Sequence, residues 1–264
     1  ASTGGVPGLD ADAAAVYERT FPRMVNKNAE FRARHPHVVS RVDRVADLIA
    51  SRDVTLPGGD LLTVRRLQTL GMGFGMKPGF DRVHWLFDEA FADAGQTWLT
   101  DTFLAEVESA TSFSTNPLYM ALQESIYGPG PTRWAAQRER ERHPEFSELA
   151  RPLLFTGETA FPWMFDEIAA LRGFRDAVEC LTEMETPAHL YDARQLAAND
   201  VPVEAAIYFD DMYVDAELSL DTAARVSNLH AWVTNEFEHD GLRLGDVAER
   251  LIDTLEVRVA REGR

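Results

Sequence analysis

Two adjacent aspartates and one histidine near the end of the chain have the types and spacing for proton transfer. Asp210 and Asp211 follow the apolar run Val203 to Tyr208, and His239 follows a second run, His230 to Thr234. An imidazole acts as a general base when a carboxylate on one ring nitrogen fixes its tautomer and steadies the charged ring. The other nitrogen then takes a proton from a nucleophile. An acid followed by a histidine, each just past a strand, is the second half of the order Ser…Asp…His. Asp211 and His239 are 28 positions apart (239 minus 211), room for one helix and one strand. The plainer alternatives are a turn or cap aspartate and a solvated loop histidine, and spacing alone does not separate these readings.

The elements that must position these groups read as strand, helix, strand. Val203 to Tyr208 lies between Pro202 and the two aspartates. Its near-continuous apolar character predicts a strand buried on both faces of a parallel sheet, and His230 to Thr234 is read the same way. Leu218 to Leu229 has helical spacing, with Asp221 placed to favour its start. Parallel strands are joined in this manner, and sites form at their carboxyl ends. Ala1 to Leu9 reads as the tail of another strand running into a Gly/Pro turn. Two buried strands do not make a stable sheet alone.

Composition narrows the partners. The 264 residues carry 43 acidic and 26 basic side chains, a formal charge of −17. That balance argues against nucleic acid, whose phosphates reward Lys and Arg, and against anionic membranes. No apolar run approaches the roughly 20 residues that span a bilayer, and no basic-then-apolar leader opens the chain. A single cysteine, Cys180, allows no internal disulfide. This fits a reducing, cytoplasmic setting. Cys180 itself reads as a core residue.

Between residues 10 and 185 the patterning is helical. Helices are expected over 10–34, with Pro22 bending it, and over 37–51, 61–70, 80–92, 100–109 and 133–143. Asn116 with Pro117 opens another helix, on which Leu118, Leu122 and Ile126 share a face and Glu124 is a carboxylate in apolar company. Such a charge needs a partner or a cavity. Glu158 stands among Phe155, Phe161, Trp163 and Phe165 where Gly157 and Pro162 force irregular backbone. It reads as a charged recognition point in an aromatic pocket, or as a helix cap. Gly71 to Gly75 lacks the Lys-Ser/Thr of a phosphate loop and reads as a helix connection. His35 and His37 flank Pro36 without a third ligand in view, so exposed loop residues are expected there and no metal site. A helical block followed by strand, helix, strand, helix describes an α/β sheet with a large helical insertion.

Taken together, several motifs resemble the prolyl aminopeptidases, serine exopeptidases of the α/β-hydrolase fold. They are Thr3-Gly-Gly-Val-Pro-Gly-Leu9, Asn116-Pro-Leu-Tyr119, Gln123-Glu-Ser-Ile-Tyr127, Thr132-Arg-Trp-Ala-Ala136, Leu154-Phe-Thr-Gly-Glu158, Pro162-Trp-Met-Phe165, Tyr208-Phe-Asp-Asp-Met-Tyr-Val214 and Val233-Thr-Asn-Glu-Phe-Glu-His-Asp-Gly241. The resemblance implies an α/β class, the C-terminal portion of an α/β-hydrolase. Residues 1–9 would end a core strand, 10–185 would form a helical cap, and 186–264 would complete the core. Asp211 would be the triad acid, preferred to Asp210 for its place before Met212, and His239 the base. Glu124 and Glu158 would hold the imino group of an N-terminal proline, with Phe155, Phe161 and Trp163 as walls against its ring. No cofactor is implied. The expected partners are a peptide substrate and the missing N-terminal half of the enzyme. The family's Gly-x-Ser-x-Gly elbow and His-Gly-Gly-Pro-Gly type loop do not occur in this sequence, and Ser2 has no elbow around it. The chain alone is therefore expected to be inactive. The rival readings are another α/β hydrolase, such as an esterase or epoxide hydrolase, and a helical binding protein without chemistry.

Overall fold

The computed structural model describes residues 2, 4–185 and 190–262. Ala1, Thr3, which opens the first motif, residues 186–189 at the expected cap–core junction, and residues 263–264 lie outside the described residues.

The sheet is small and parallel. Strand β1 (Val203–Tyr208) pairs with β2 (Leu229–Thr234) in the register Val203 to Leu229 through Tyr208 to Thr234. Along the other edge of β1, Ser2 bridges Ala205 in parallel, with Ser2 N–H donating to Glu204 O at 2.8 Å and Ala206 N–H to Ser2 O at 2.8 Å. Ser2 thus pairs as a strand residue does, as the composition of the opening stretch suggests. β1 is buried along most of its length, but β2 is half-exposed. Among the described residues β2 pairs with β1 alone, so only one of its edges is covered.

The chain enters the helical block at α1 (Ala13–Arg34), capped by Asp12 and continuous through Pro22. Then come α2 (Val39–Ser51), α3 (Val64–Gln68), α4 (Gly79–Asp88), α5 (Asp101–Thr111), α6 (Pro117–Leu122) and α7 (Ala135–Arg142). Short helices α8 (Met164–Glu167), α9 (Ala169–Arg172), α10 (Arg175–Thr182) and α11 (Ala193–Ala197) lead to β1. The connector Thr69–Gly75 is a 3-10 helix. The strand-to-strand helix α12 is Ala216–Arg225, and α13 (Gly241–Leu244) and α14 (Val247–Glu262) close the chain. Asp215, not Asp221, starts α12: its carboxylate accepts Glu217 N–H and Leu218 N–H, each at 3.0 Å. Asp221 sits inside the helix, 3.2 Å from Arg225.

One apolar core holds the helical block. Phe31, Phe74, Phe87 and Phe155 form its aromatic centre, with ring centroids 4.9 to 6.0 Å apart. Burying each such ring contributes about 1.5–3 kcal/mol. Met212 and Tyr213 join this core from the loop after β1, so helical block and sheet share it. A smaller cluster of Ala206, Tyr208, Val247 and Leu251 packs α14 on the sheet. Cys180, expected inside, is exposed, because α10 buries Val178 and Thr182 instead. No described helix is long and apolar enough to cross a membrane.

The face of α6 is inverted relative to expectation. Leu118, Leu122 and Ile126 do share a side, but it points outward, at 58%, 45% and 57% exposure. Glu124 points inward and is buried. Its two carboxylate oxygens accept Ala135 N–H at 3.2 Å and Ala136 N–H at 2.8 Å, the open amides at the start of α7.

Candidate active site

Asp211 sits in the turn that follows β1, and the turn holds its carboxylate in place. Oδ1 accepts Tyr213 N–H at 2.8 Å and Val214 N–H at 3.0 Å. Oδ2 faces His239 Nδ1 at 2.8 Å. A carboxylate accepts only, so Nδ1 carries the proton and Nε2 presents its lone pair. Asp210 is partly exposed one residue earlier, while Asp211 is buried. The 2.8 Å contact selects Asp211 over Asp210 as the histidine's partner.

The loop after β2 delivers His239, and the helical block fixes the loop. His239 N–H donates to Gly75 O at 3.0 Å. Tyr213 stands edge-on to the imidazole, centroids 5.1 Å apart. Gly75 must lack a side chain, because a Cβ there would lie 2.4 Å from the Tyr213 ring. On the far side, a Cβ at Gly4 would lie 3.5 Å from His239 Cε1, so the opening segment also lies against the imidazole. Burial disfavours the charged ring, but the hydrogen bond and charge of Asp211 outweigh it, with Glu158 and Asp240 adding. The His239 pKa is raised above its ordinary 6.5.

His239 and Glu158 line one cavity of about 260 Å³. Its other walls include Val16, Ile126, Tyr127 and Leu218. Tyr119 Oη donates to Glu158 Oε1. Burial pushes the Glu158 carboxyl up to about 7, with His239 pulling it down and Asp211 pushing it further up. Tyr127 is set by a relay: Tyr17 Oη donates to Gln123 Oε1 at 2.7 Å, and Gln123 Nε2 donates to Tyr127 Oη at 3.0 Å. The cavity therefore joins a base, a carboxyl poised near neutrality and an oriented phenol.

The other expected site residues stand elsewhere. Glu124 caps α7 and does not line the cavity. Phe155 belongs to the aromatic core. Phe161 and Trp163 stack on each other at 5.9 Å and lie under Arg140 and Arg65. They are core residues because a buried apolar ring next to a helical block gains most by packing there. Sequence reading passed over Tyr119, Tyr127 and Tyr213. All three lie in motifs quoted above, yet nothing local shows that Tyr119 reaches Glu158, that Tyr127 lines its cavity or that Tyr213 stands against His239. Ser2 Oγ donates to Gly5 O at 2.6 Å.

A carboxylate after one parallel strand, bonded to an imidazole after the next, is the acid–base arrangement of an α/β hydrolase. The chain is 39% identical over 262 residues to a proline iminopeptidase of Aeromonas sobria, covering 98% of this chain and 60% of that protein. It is 32% identical over 231 residues to proline iminopeptidase aneH of Aspergillus aculeatus, covering 86% of this chain and 51% of that protein. No family model matches. Over nearly all of its length, then, the chain is similar in sequence to two proline iminopeptidases. It spans between half and two thirds of the length of these relatives.

Proposed function

We propose that this chain supplies the acid, the base and the amine-binding pocket of a serine exopeptidase that releases N-terminal proline from peptides. The observation that carries the proposal is the shared cavity: His239, backed by Asp211 at 2.8 Å, opens onto the same space as Glu158. In this reading a serine hydroxyl from residues outside these 264 attacks the prolyl carbonyl carbon. His239 Nε2 takes the hydroxyl proton, then gives it to the leaving amine as the acyl-enzyme forms. Water, deprotonated by the same nitrogen, releases proline. Glu158 holds the imino group by a charge-assisted hydrogen bond. The pyrrolidine ring lies against Val16, Ile126 and Leu218. Glu124 acts one layer back: it starts α7, and its charge bears on the Tyr17 and Tyr127 phenols.

The test is release of naphthylamine from prolyl-2-naphthylamide. The 264-residue chain alone should release none. A longer protein carrying a Gly-x-Ser-x-Gly segment ahead of this one should be active, and His239→Ala should abolish that activity. Robust turnover by the short chain would mean the nucleophile lies within it. Esterase activity without proline preference in the longer protein would overturn the substrate assignment.

A further inference from the structure

The sequence offered two histidines, His35 and His37, without a third ligand. The fold supplies it. Helix α4 brings His84 and Asp88 against the corner between α1 and α2, where one ligand atom from each of His37, His84 and Asp88 lies within 4.8 Å of the others. His84 Nδ1 is 3.2 Å from Asp88 Oδ2, and His37 Nε2 is 4.0 Å from Asp88 Oδ1. The His35 ring packs on His84 with centroids 4.3 Å apart. Contrary to expectation, His35 is buried, and His37, though exposed, lies in a single 3-10 turn, Pro36–Val38.

Two buried ring nitrogens here lack a hydrogen bond, His84 Nδ1 and His35 Nε2, the latter 3.3 Å from Asp81. His84 Nδ1 is buried and has no hydrogen bond, since Asp88 Oδ2 is close but out of line. A buried ring nitrogen without a hydrogen-bond partner is costly in either tautomer, and a cation bound through the neutral ring would satisfy it. Arg41 holds Asp88 Oδ1, leaving Oδ2 turned toward His84.

We propose that His37, His84 and Asp88 bind a divalent transition metal, zinc in the first instance, outside the catalytic cavity. Two imidazoles and a carboxylate are a common zinc set, with water completing four-coordination. At zinc bond lengths of ~2.0–2.2 Å, tetrahedral ligand atoms lie about 3.4 Å apart. The His84–Asp88 pair already meets this spacing, and His37, with a side chain 58% exposed, has room to swing in. The bound ion ties the α1–α2 corner to α4.

The test is calorimetric titration of the full chain with zinc chloride, paired with cobalt(II) absorption and thermal unfolding. One ion per chain should bind, and zinc at 100 times its Kd should raise Tm by ~5–10 °C. His37→Ala, an exposed change that leaves the core intact, should weaken binding about tenfold or more. His84→Ala should do the same. His230→Ala, at the distant Glu204 pair, should bind as the parent does. Absence of binding at millimolar zinc, or binding that survives both His37→Ala and His84→Ala, would overturn the site. Loss of binding in His230→Ala would place the ion elsewhere and overturn it equally.

Discussion

Lys27 Nζ lies 2.8 Å from Glu238 Oε1, so the first helix grips the residue next to His239. Lys27 is nearly fully buried, and Glu238 is largely so. Three further contacts bind the same loop. Lys77 N–H donates to Asp240 Oδ2 at 3.0 Å, Lys77 Nζ donates to Glu236 O at 2.7 Å, and Gly75 O takes the His239 amide. His239 is therefore held by the helical block as much as by the sheet.

Removing Lys27 leaves the largely buried Glu238 carboxylate without its hydrogen-bonded partner. Lys27→Met should cost roughly 3 kcal/mol in urea unfolding. Replacing both, as Lys27→Met with Glu238→Leu, should recover most of the loss, because two apolar groups leave nothing unpaired. A single-mutant change below about 0.5 kcal/mol would show that the pair carries no stability.

Glu158 should set substrate affinity. Its carboxyl is pushed up to about 7, so it gains charge as pH rises through neutrality. Binding of a protonated N-terminal proline should strengthen over that range. In the longer active protein, Glu158→Gln should lower kcat/KM for prolyl substrates about 30-fold, from the loss of roughly 2 kcal/mol of charged pairing. It should also flatten the pH dependence of KM near 7. An unchanged KM profile would remove Glu158 from the amine site.

Glu124 should behave differently. Glu124→Ala orphans the Ala135 and Ala136 amides and should cost about 1–2 kcal/mol of stability, as loss of a helix cap does. Its effect on KM should be smaller than that of Glu158→Gln. The opposite ranking, with stability intact, would make Glu124 a direct substrate ligand.

His239 carries two opposite pH effects. Its folded pKa is raised above 6.5. The stability it contributes is complete below about 6.5, the unfolded value. That contribution is lost as pH rises through the folded pKa. In the proposed mechanism His239 acts as the neutral ring, so kcat/KM of the longer protein should climb across that same raised pKa. Asp211→Asn should move the limb back toward 6.5 and cut the rate by about 10⁴-fold, through the wrong tautomer. A pH profile unmoved by that change would separate His239 from Asp211.

How much of this was readable without coordinates depended on range. β1 was legible to the residue, Val203 to Tyr208, because Pro202 and the two aspartates end it and its apolar run is local. The helix starts expected at 10 and 100 fall within two residues of the observed caps, Asp12 and Thr100, because a cap bonds amides within its own turn. The directions of Glu124, Phe161 and Trp163 were not, since each depends on a partner far along the chain. Periodicity places Leu118, Leu122 and Ile126 on one side of a helix, but does not say which side faces the core.

By itself the sequence determined the order of elements and placed an acid and a histidine just past two strands, because strand length and turn chemistry are set by near neighbours. Only the tertiary structure decided that Asp211 rather than Asp210 holds His239, that Glu158 shares its cavity while Glu124 does not, and that His84 comes to His37. Those are contacts between residues far apart along the chain or a matter of which way a turn faces. They are chosen by how buried groups find donors, acceptors and packing partners across the whole molecule.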